Sequence, residues 1–243
     1  MEPGLSHRNP RVAETARLHR GDDRRNRGLT LLEGPHLVEE AVAAGQRLLE
    51  LYALADDRSA VGWAAAAGAE LVVVGEEALK RLSSTQTPQS PLAVLEIPTR
   101  GLDASRSVLV AWRISDPGNL GTMIRTAAAF GLDVAVTAGS ADLWSPKVLR
   151  AGMGGHFHTA VVEIDGLDAL EAVLVAAVMS GGVSPRDLPP GRLAILIGSE
   201  AHGLPNEVVA QADVRVTIPM AGPTESLNAA AAATILAYEV SLR

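Results

Sequence analysis

Cysteine is absent from all 243 residues, which excludes disulfides, cysteine-ligated zinc, iron–sulfur clusters and thiol catalysis together. Whatever chemistry the chain performs uses oxygen, nitrogen or a bound cofactor. Aromatic residues make up only 3%, with Phe130 and Phe157 the sole phenylalanines, and this argues against a single-strand binder that stacks bases on aromatic platforms. Lysine is nearly missing: Lys80 and Lys147 stand against 19 arginines, a bias spread over the whole chain and so read as coding composition. No apolar run reaches the roughly 18 residues of a membrane span. Residues 1–27 are polar and arginine-rich with no stretch fit for a secretory signal, so a cytoplasmic protein is expected. Neither GxGxxG nor GxxxxGK[ST] occurs, which leaves no Rossmann dinucleotide site or P-loop and makes a small dehydrogenase a poor reading.

What is present is ordinary globular composition, 47% hydrophobic and 20% charged, on a length that suits one or two domains. The net charge of −7 hides an asymmetry. Residues 1–28 hold seven arginines (Arg8, Arg11, Arg17, Arg20, Arg24, Arg25, Arg27) against Glu2, Glu14, Asp22 and Asp23, a local +3, so the other 215 residues carry −10. A basic arm for a polyanion on an acidic body is one reading, and a solvated helix face is the other.

Apolar runs and helix-period segments alternate along the chain. Strands are expected at 29–33, 48–54, 70–74 and 92–97, with helices at 35–44, 59–67 and 76–82, a small α/β unit. The polar stretch 83–91 reads as a loop, and a second polar stretch, 98–106, marks a domain boundary, giving domains 1–100 and 105–243. The second half is expected to run strand 108–114, helix 120–130, strand 133–137, helix 146–151, strand 159–163, helix 167–175, strand 193–198, helix 205–212, strand 214–218 and helix 226–242. Such alternation implies a mostly parallel sheet covered on both faces, with ligands beyond the carboxyl ends of its strands. The final helix is apolar on all sides; burial of that kind is met most easily against a second subunit, so a homodimer is expected.

Three loops after strands stand out. Residues 116–121 (DPGNLG) make a tight turn before a helix, with Asn119 placed to cap that helix or reach a ligand, and Arg125 lies about a turn and a half further on. Residues 198–205 (GSEAHGLP) put Glu200 at a strand's carboxyl end beside glycines that allow close backbone approach. Residues 218–228 (IPMAGPTESLN) bring Ser226 and Asn228 to a helix N-terminus, a natural anion site. Each loop alone is equally an ordinary capped turn.

Together with residues 145–157 (SPKVLRAGMGGHF), the stretches 116–131, 196–205 and 218–235 resemble, in order, the motifs of the SpoU (TrmH-like) RNA ribose 2′-O-methyltransferases of the SPOUT class. Residues 9–42 resemble the small α/β substrate-binding domain that many members carry. The resemblance implies a parallel-sheet α/β methyltransferase domain with a C-terminal trefoil knot, preceded by a small RNA-binding domain. It implies S-adenosylmethionine bound at Gly198, Ile218 and Leu227, with Met220, Thr137 and Gly139 as neighbours. It implies a catalytic set of Arg125, Asn119, Glu200, Ser226 and Asn228.

A ribose hydroxyl must lose its proton as it attacks a methyl group, and a guanidinium does not ordinarily accept one. Arg125 is therefore expected to clamp an RNA phosphate and lower the hydroxyl's pKa. His202 is given a loop-structural role. His156 and His158 would point to opposite sides of a strand, and no metal is assigned. The seven arginines of residues 1–28 would meet RNA phosphates. Because A-form duplexes hide their base edges, a folded ribosomal RNA is the first expected partner and transfer RNA the second, with no membrane partner. The rival class is a non-catalytic RNA-binding protein that keeps the fold.

Overall fold

The computed structural model describes residues 4–223 and 226–243; the start of the expected N-terminal domain and basic arm, and Thr224 and Glu225 of the third loop, lie outside the described residues. The chain divides into two compact units, Met1–Thr99 with Trp144–Phe157, and Arg100–Leu143 with His158–Arg243. Residues 144–157, expected within the 105–243 domain, thus cluster with the first unit.

In the first unit, α1 (Pro10–Ala16) begins where the Asn9 side chain accepts from the Arg11 N–H and Pro10 takes the first helical position. Helix α2 (Gly21–Arg27) carries Asp22 and Asp23 in its first turn and Arg24, Arg25 and Arg27 in its last, the arrangement that complements a helix dipole. Then follow β1 (Leu29–Glu33), α3 (Pro35–Ala43), β2 (Leu48–Ala53), α4 (Arg58–Ala67), β3 (Glu70–Val73), α5 (Glu76–Leu82) and β4 (Leu92–Glu96). The sheet order is β1-β4-β2-β3, with β4 antiparallel to both neighbours and β2 parallel to β3. Side chains alternate across it. Leu32, Leu51 and Ala93 face one core with Leu37, Val38 and Ala60, while Leu31, Tyr52 and Val94 face the other with Val12, Leu18 and Leu79.

The expected basic arm is a folded part of this unit, and its arginines are largely taken up inside it. Arg11 bonds Glu50 (2.7 Å) and Glu70 (2.6 Å). Arg17 pairs with Asp23 at 2.9 Å, Arg27 with Glu14 at 3.2 Å, and Arg25 with Asp22. Arg24 is 4% exposed, its guanidinium donating to the Leu18 carbonyl at 2.7 Å. A charge count cannot tell such cations from ligand-seeking ones.

The second unit runs β5 (Val108–Ala111), α6 (Pro117–Phe130) and β6 (Asp133–Thr137) before the chain makes α7 (Pro146–Gly152) in the first unit. It returns as β7 (Val161–Ile164), β8 (Val173–Ala177), β9 (Leu193–Ile197), α8 (Asn206–Gln211), β10 (Val214–Val216) and α9 (Ala229–Ser241). The sheet is parallel throughout, in the order β10-β8-β9-β5-β6-β7. The helix expected at 167–175 is instead a 3-10 turn, Leu167–Leu170, and strand β8. Glu171 turns left-handed (φ 41°) and ends the helical path, and the apolar run VLVAA pairs between β9 and β10. His156 lies in a 3-10 turn, Gly155–Phe157, and not in a strand.

Candidate active site

Strands β5 and β9 are neighbours, yet the chain goes from β5 to β6 on one side and reaches β9 only after laying down β7 and β8. This is a switch point of a parallel sheet, where the connections diverge and leave a crevice beyond the carboxyl ends. The loops after β5 and β9 meet there. Asp116, and not Asn119, caps α6: its Oδ1 accepts from the Asn119 N–H at 2.7 Å, and Pro117 takes the first helical position. The Asn119 side chain is thereby left for another task. Its Nδ2 donates to Glu200 Oε1 at 2.6 Å, and its Oδ1 accepts from Asn228 Nδ2 at 2.9 Å. Asn228 is itself held, since its Oδ1 accepts from the N–H groups of Ala230 (2.9 Å) and Ala231 (3.2 Å) as the cap of α9. Both ends of the Asn119 amide are fixed by residues from the other two loops.

Beside this chain of amides lies a cavity of about 540 Å³. Gly198, Ile218, Met220 and Leu227 line it, as do Glu200, His202 and Ser226. Its floor depends on a missing side chain: a Cβ on Gly198 would lie 2.2 Å from the Gly203 carbonyl carbon and 2.3 Å from the Leu204 nitrogen. The loop closes on itself there, with Gly203 N–H donating to the Ser199 carbonyl at 2.8 Å and Gly203 left-handed at φ 65°. Glu200 belongs to both features, as cavity wall and as acceptor for Asn119.

Two expected cofactor neighbours are not part of that wall. Thr137 is 8% exposed at the end of β6, where its hydroxyl accepts from the Arg113 N–H at 3.1 Å. Gly139 follows it, alongside the Arg113 stem. Both follow β6, on the far side of β5 from β9, and neither is among the residues that line the cavity. Arg125 is exposed on α6 and makes no side-chain hydrogen bond or ion pair among the described residues. Of the seven arginines expected on RNA, Arg24 is buried and Arg11 is held by two carboxylates, which takes both out of that role. Arg8 and Arg20 are exposed with no such partner among the described residues, while Arg17, Arg25 and Arg27 are exposed but paired.

The sequence reading missed the contribution of β8. Ala177, Val178 and Met179 line the cavity from that strand's carboxyl end, and a run of β-branched and small apolar residues was the signal available. Among the described residues no group of three or more His, Cys, Asp or Glu side chains could hold a metal ion. Nor is any helix long and apolar enough to cross a membrane.

Comparison with known proteins places these features in a family. The chain is 34% identical to the 23S rRNA (guanosine(2553)-2′-O)-methyltransferase RlmP of Bacillus subtilis, over 97% of each chain. The SpoU methyltransferase AviRb of Streptomyces viridochromogenes, solved in complex with AdoMet, superposes with a TM-score of 0.85 at 28% identity, covering 97% of this chain and 98% of that one. The AdoMet-bound rRNA methyltransferase of Sinorhizobium meliloti gives 0.84 at 27% identity, covering 96% and 94%. Residues 9–93 match the MRM3-like substrate binding domain. Residues 106–238, which run from β5 into α9 and include Asn119, Glu200, Asn228 and the cavity lining, match the SpoU rRNA Methylase family, and to that family this chain belongs.

Proposed function

We infer that this chain transfers the methyl group of S-adenosylmethionine to a ribose 2′-hydroxyl of ribosomal RNA. The observation that carries the reading is the double role of Glu200, which walls a cavity of cofactor size and anchors the Asn119 amide at the sheet's switch point. The cavity suits a ligand held by backbone groups, because the wall at Gly198 has no room for a side chain. Gly198, Ile218 and Leu227 with Met220 would hold S-adenosylmethionine, which supplies an electrophilic methyl on sulfur when bound.

The chain's own residues then orient the attacking hydroxyl. Glu200 and Asn228 hold the Asn119 amide in place, and its second N–H is left to donate to the substrate. Arg125, with no internal partner among the described residues, clamps the phosphate next to the reacting ribose and lowers the pKa of its hydroxyl. Ser226, at the cavity rim, hydrogen-bonds substrate or cofactor. The proton passes to a phosphate oxygen or to water.

In this reading residues 1–100 bind RNA, residues 105–243 carry out the transfer in the cytoplasm, and the C-terminal segment is threaded as the family's trefoil knot. A homodimer goes with it: α9 packs on α6 and β9 along one face, but Ala231, Ile235, Tyr238 and Leu242 form an exposed apolar stripe along another. Such a stripe at helical spacing is covered by a second copy.

The test is incorporation of tritiated methyl into ribosomal RNA from cells lacking the gene, with alkaline hydrolysis to locate the label. Resistance of the labelled linkage to alkali marks a 2′-O-methyl group. RNA binding without incorporation would instead establish the non-catalytic reading.

A further inference from the structure

Three non-glycine residues among the described ones have left-handed backbones: Arg113 (φ 54°), Met153 (φ 47°) and Glu171 (φ 41°). Two of them have structural reasons, Met153 as the C-cap of α7 and Glu171 as the C-cap of the 3-10 turn before β8. Arg113 caps nothing. It stands two residues past the end of β5 and three before Asp116, in the stretch that leads into the switch-point loop.

The surroundings impose this strained conformation on it. Its N–H donates to Thr137 Oγ1 at 3.1 Å, the preceding Trp112 N–H donates to the Ile197 carbonyl at 2.9 Å, and the following Ile114 carbonyl accepts from the Ala141 N–H at 2.8 Å. The side chain is steered as well. A Cβ on Gly139 would sit 3.5 Å from Arg113 Cγ and 3.9 Å from its Cδ, so the aliphatic stem runs over a residue that offers it a bare backbone. The residue is exposed and its guanidinium makes no hydrogen bond or ion pair among the described residues. Strain that serves no cap, spent on directing an unpaired cation over the carboxyl edge of the sheet, marks a ligand contact.

The sheet order indicates which ligand. Along the carboxyl edge come the ends of β8 and β9 with the cavity, then the end of β5 with Asn119, then the β5–β6 side where Arg113 and Gly139 sit. Resting on the methyl-transfer reading above, we propose that Arg113 binds a backbone phosphate of the RNA strand flanking the methylated nucleotide, on the side of Asn119 away from the cavity. A planar fork with no internal partner suits a phosphate diester, and Thr137 and Gly139 act by holding and seating it.

The experiment uses the full chain, with ribosomal RNA from cells lacking the gene as the probe. Arg113→Ala and Arg113→Gly are expected to raise the KM for RNA on the order of tenfold and to reduce the slope of log affinity against log salt by about one. The rate at saturating RNA and the affinity for S-adenosylmethionine should stay unchanged. Arg113→Gly is expected to keep or raise the melting temperature, since glycine accepts the left-handed backbone. An active wild-type enzyme with unchanged RNA KM and salt slope in both variants would overturn the proposal alone. Weakened S-adenosylmethionine binding would assign Arg113 to the cofactor and overturn it too. If the wild type methylates no RNA, the methyl-transfer reading falls first, and the proposal with it.

Discussion

In the unit built on β1–β4 many of the arginines close onto neighbouring carboxylates, Arg11 onto Glu50 and Glu70, Arg17 onto Asp23 and Arg150 onto Glu33, while Arg8 and Arg20 stay exposed without such a partner among the described residues. In the unit built on β5–β10, Arg106 pairs likewise with Asp103 and Asp133, but Arg113, just past β5, and Arg125, midway along α6, stand exposed with no side-chain partner among the described residues. One residue type therefore has two uses. A guanidinium beside a carboxylate shapes the fold, and its pKa rises because the neighbour favours the charged form: the hydrogen bond to Glu70 does this for Arg11, against a smaller opposing cost of burial. A guanidinium without a neighbour is available to a ligand. Net charge over a sequence window adds the two together.

That contrast is open to test, beginning with the largest effect. Gly198→Ala forces a Cβ into the Gly203 carbonyl carbon and should reduce S-adenosylmethionine affinity at least about 100-fold by calorimetry. Arg125→Ala should lower kcat/KM for RNA by roughly 100-fold with the melting temperature unchanged, and Arg125→Lys should recover only part of it, because one ammonium cannot replace a bidentate fork. A full-rate lysine variant would break the comparison on the ligand side.

On the structural side the expected cost moves from activity to stability. Arg150→Ala removes a 2.8 Å partner from Glu33, whose side chain is only 4% exposed, and should destabilise the fold by about 3 kcal/mol in urea unfolding while leaving S-adenosylmethionine affinity alone. The smallest effect concerns pH. Burial lowers the pKa of His19, so the unfolded chain takes up a proton in a range where the folded one does not. Stability should accordingly fall as pH drops below about 6.5, and His19→Gln should flatten that fall.

Much of the fold was legible. Strands β1 and β6 fall where apolar runs bounded by turn residues indicated them, and α4 and α6 end at Gly68 and Gly131 in the left-handed conformation that such glycines advertise. The failure at 167–177 has a definite cause. Leu167, Leu170 and Leu174 carry a helical spacing, but the left-handed backbone at Glu171 interrupts it and pairing with β9 and β10 decides the rest. Tertiary pairing overrides a local period in so short a run.

The three loops of the site were legible as turns after strands, but only the family's motifs joined them into one site. Nothing in spacing connects Asn119 to residues 81 and 109 positions away. Asp116, a better cap than Asn119, was in plain view, and recognising it would have shown that the amide was free for other work. Arg113 had no sequence signal at all, because a strained backbone is a property of the loops around it.

The two hydrogen bonds that seize the Asn119 amide also say something about folding. Loops of that span close late, after local helices and adjacent strands have formed. Methyl-group chemistry should thus be the last property to return on refolding, later than compactness or helix content, and the enzyme's own turnover becomes a timer for the completion of its topology.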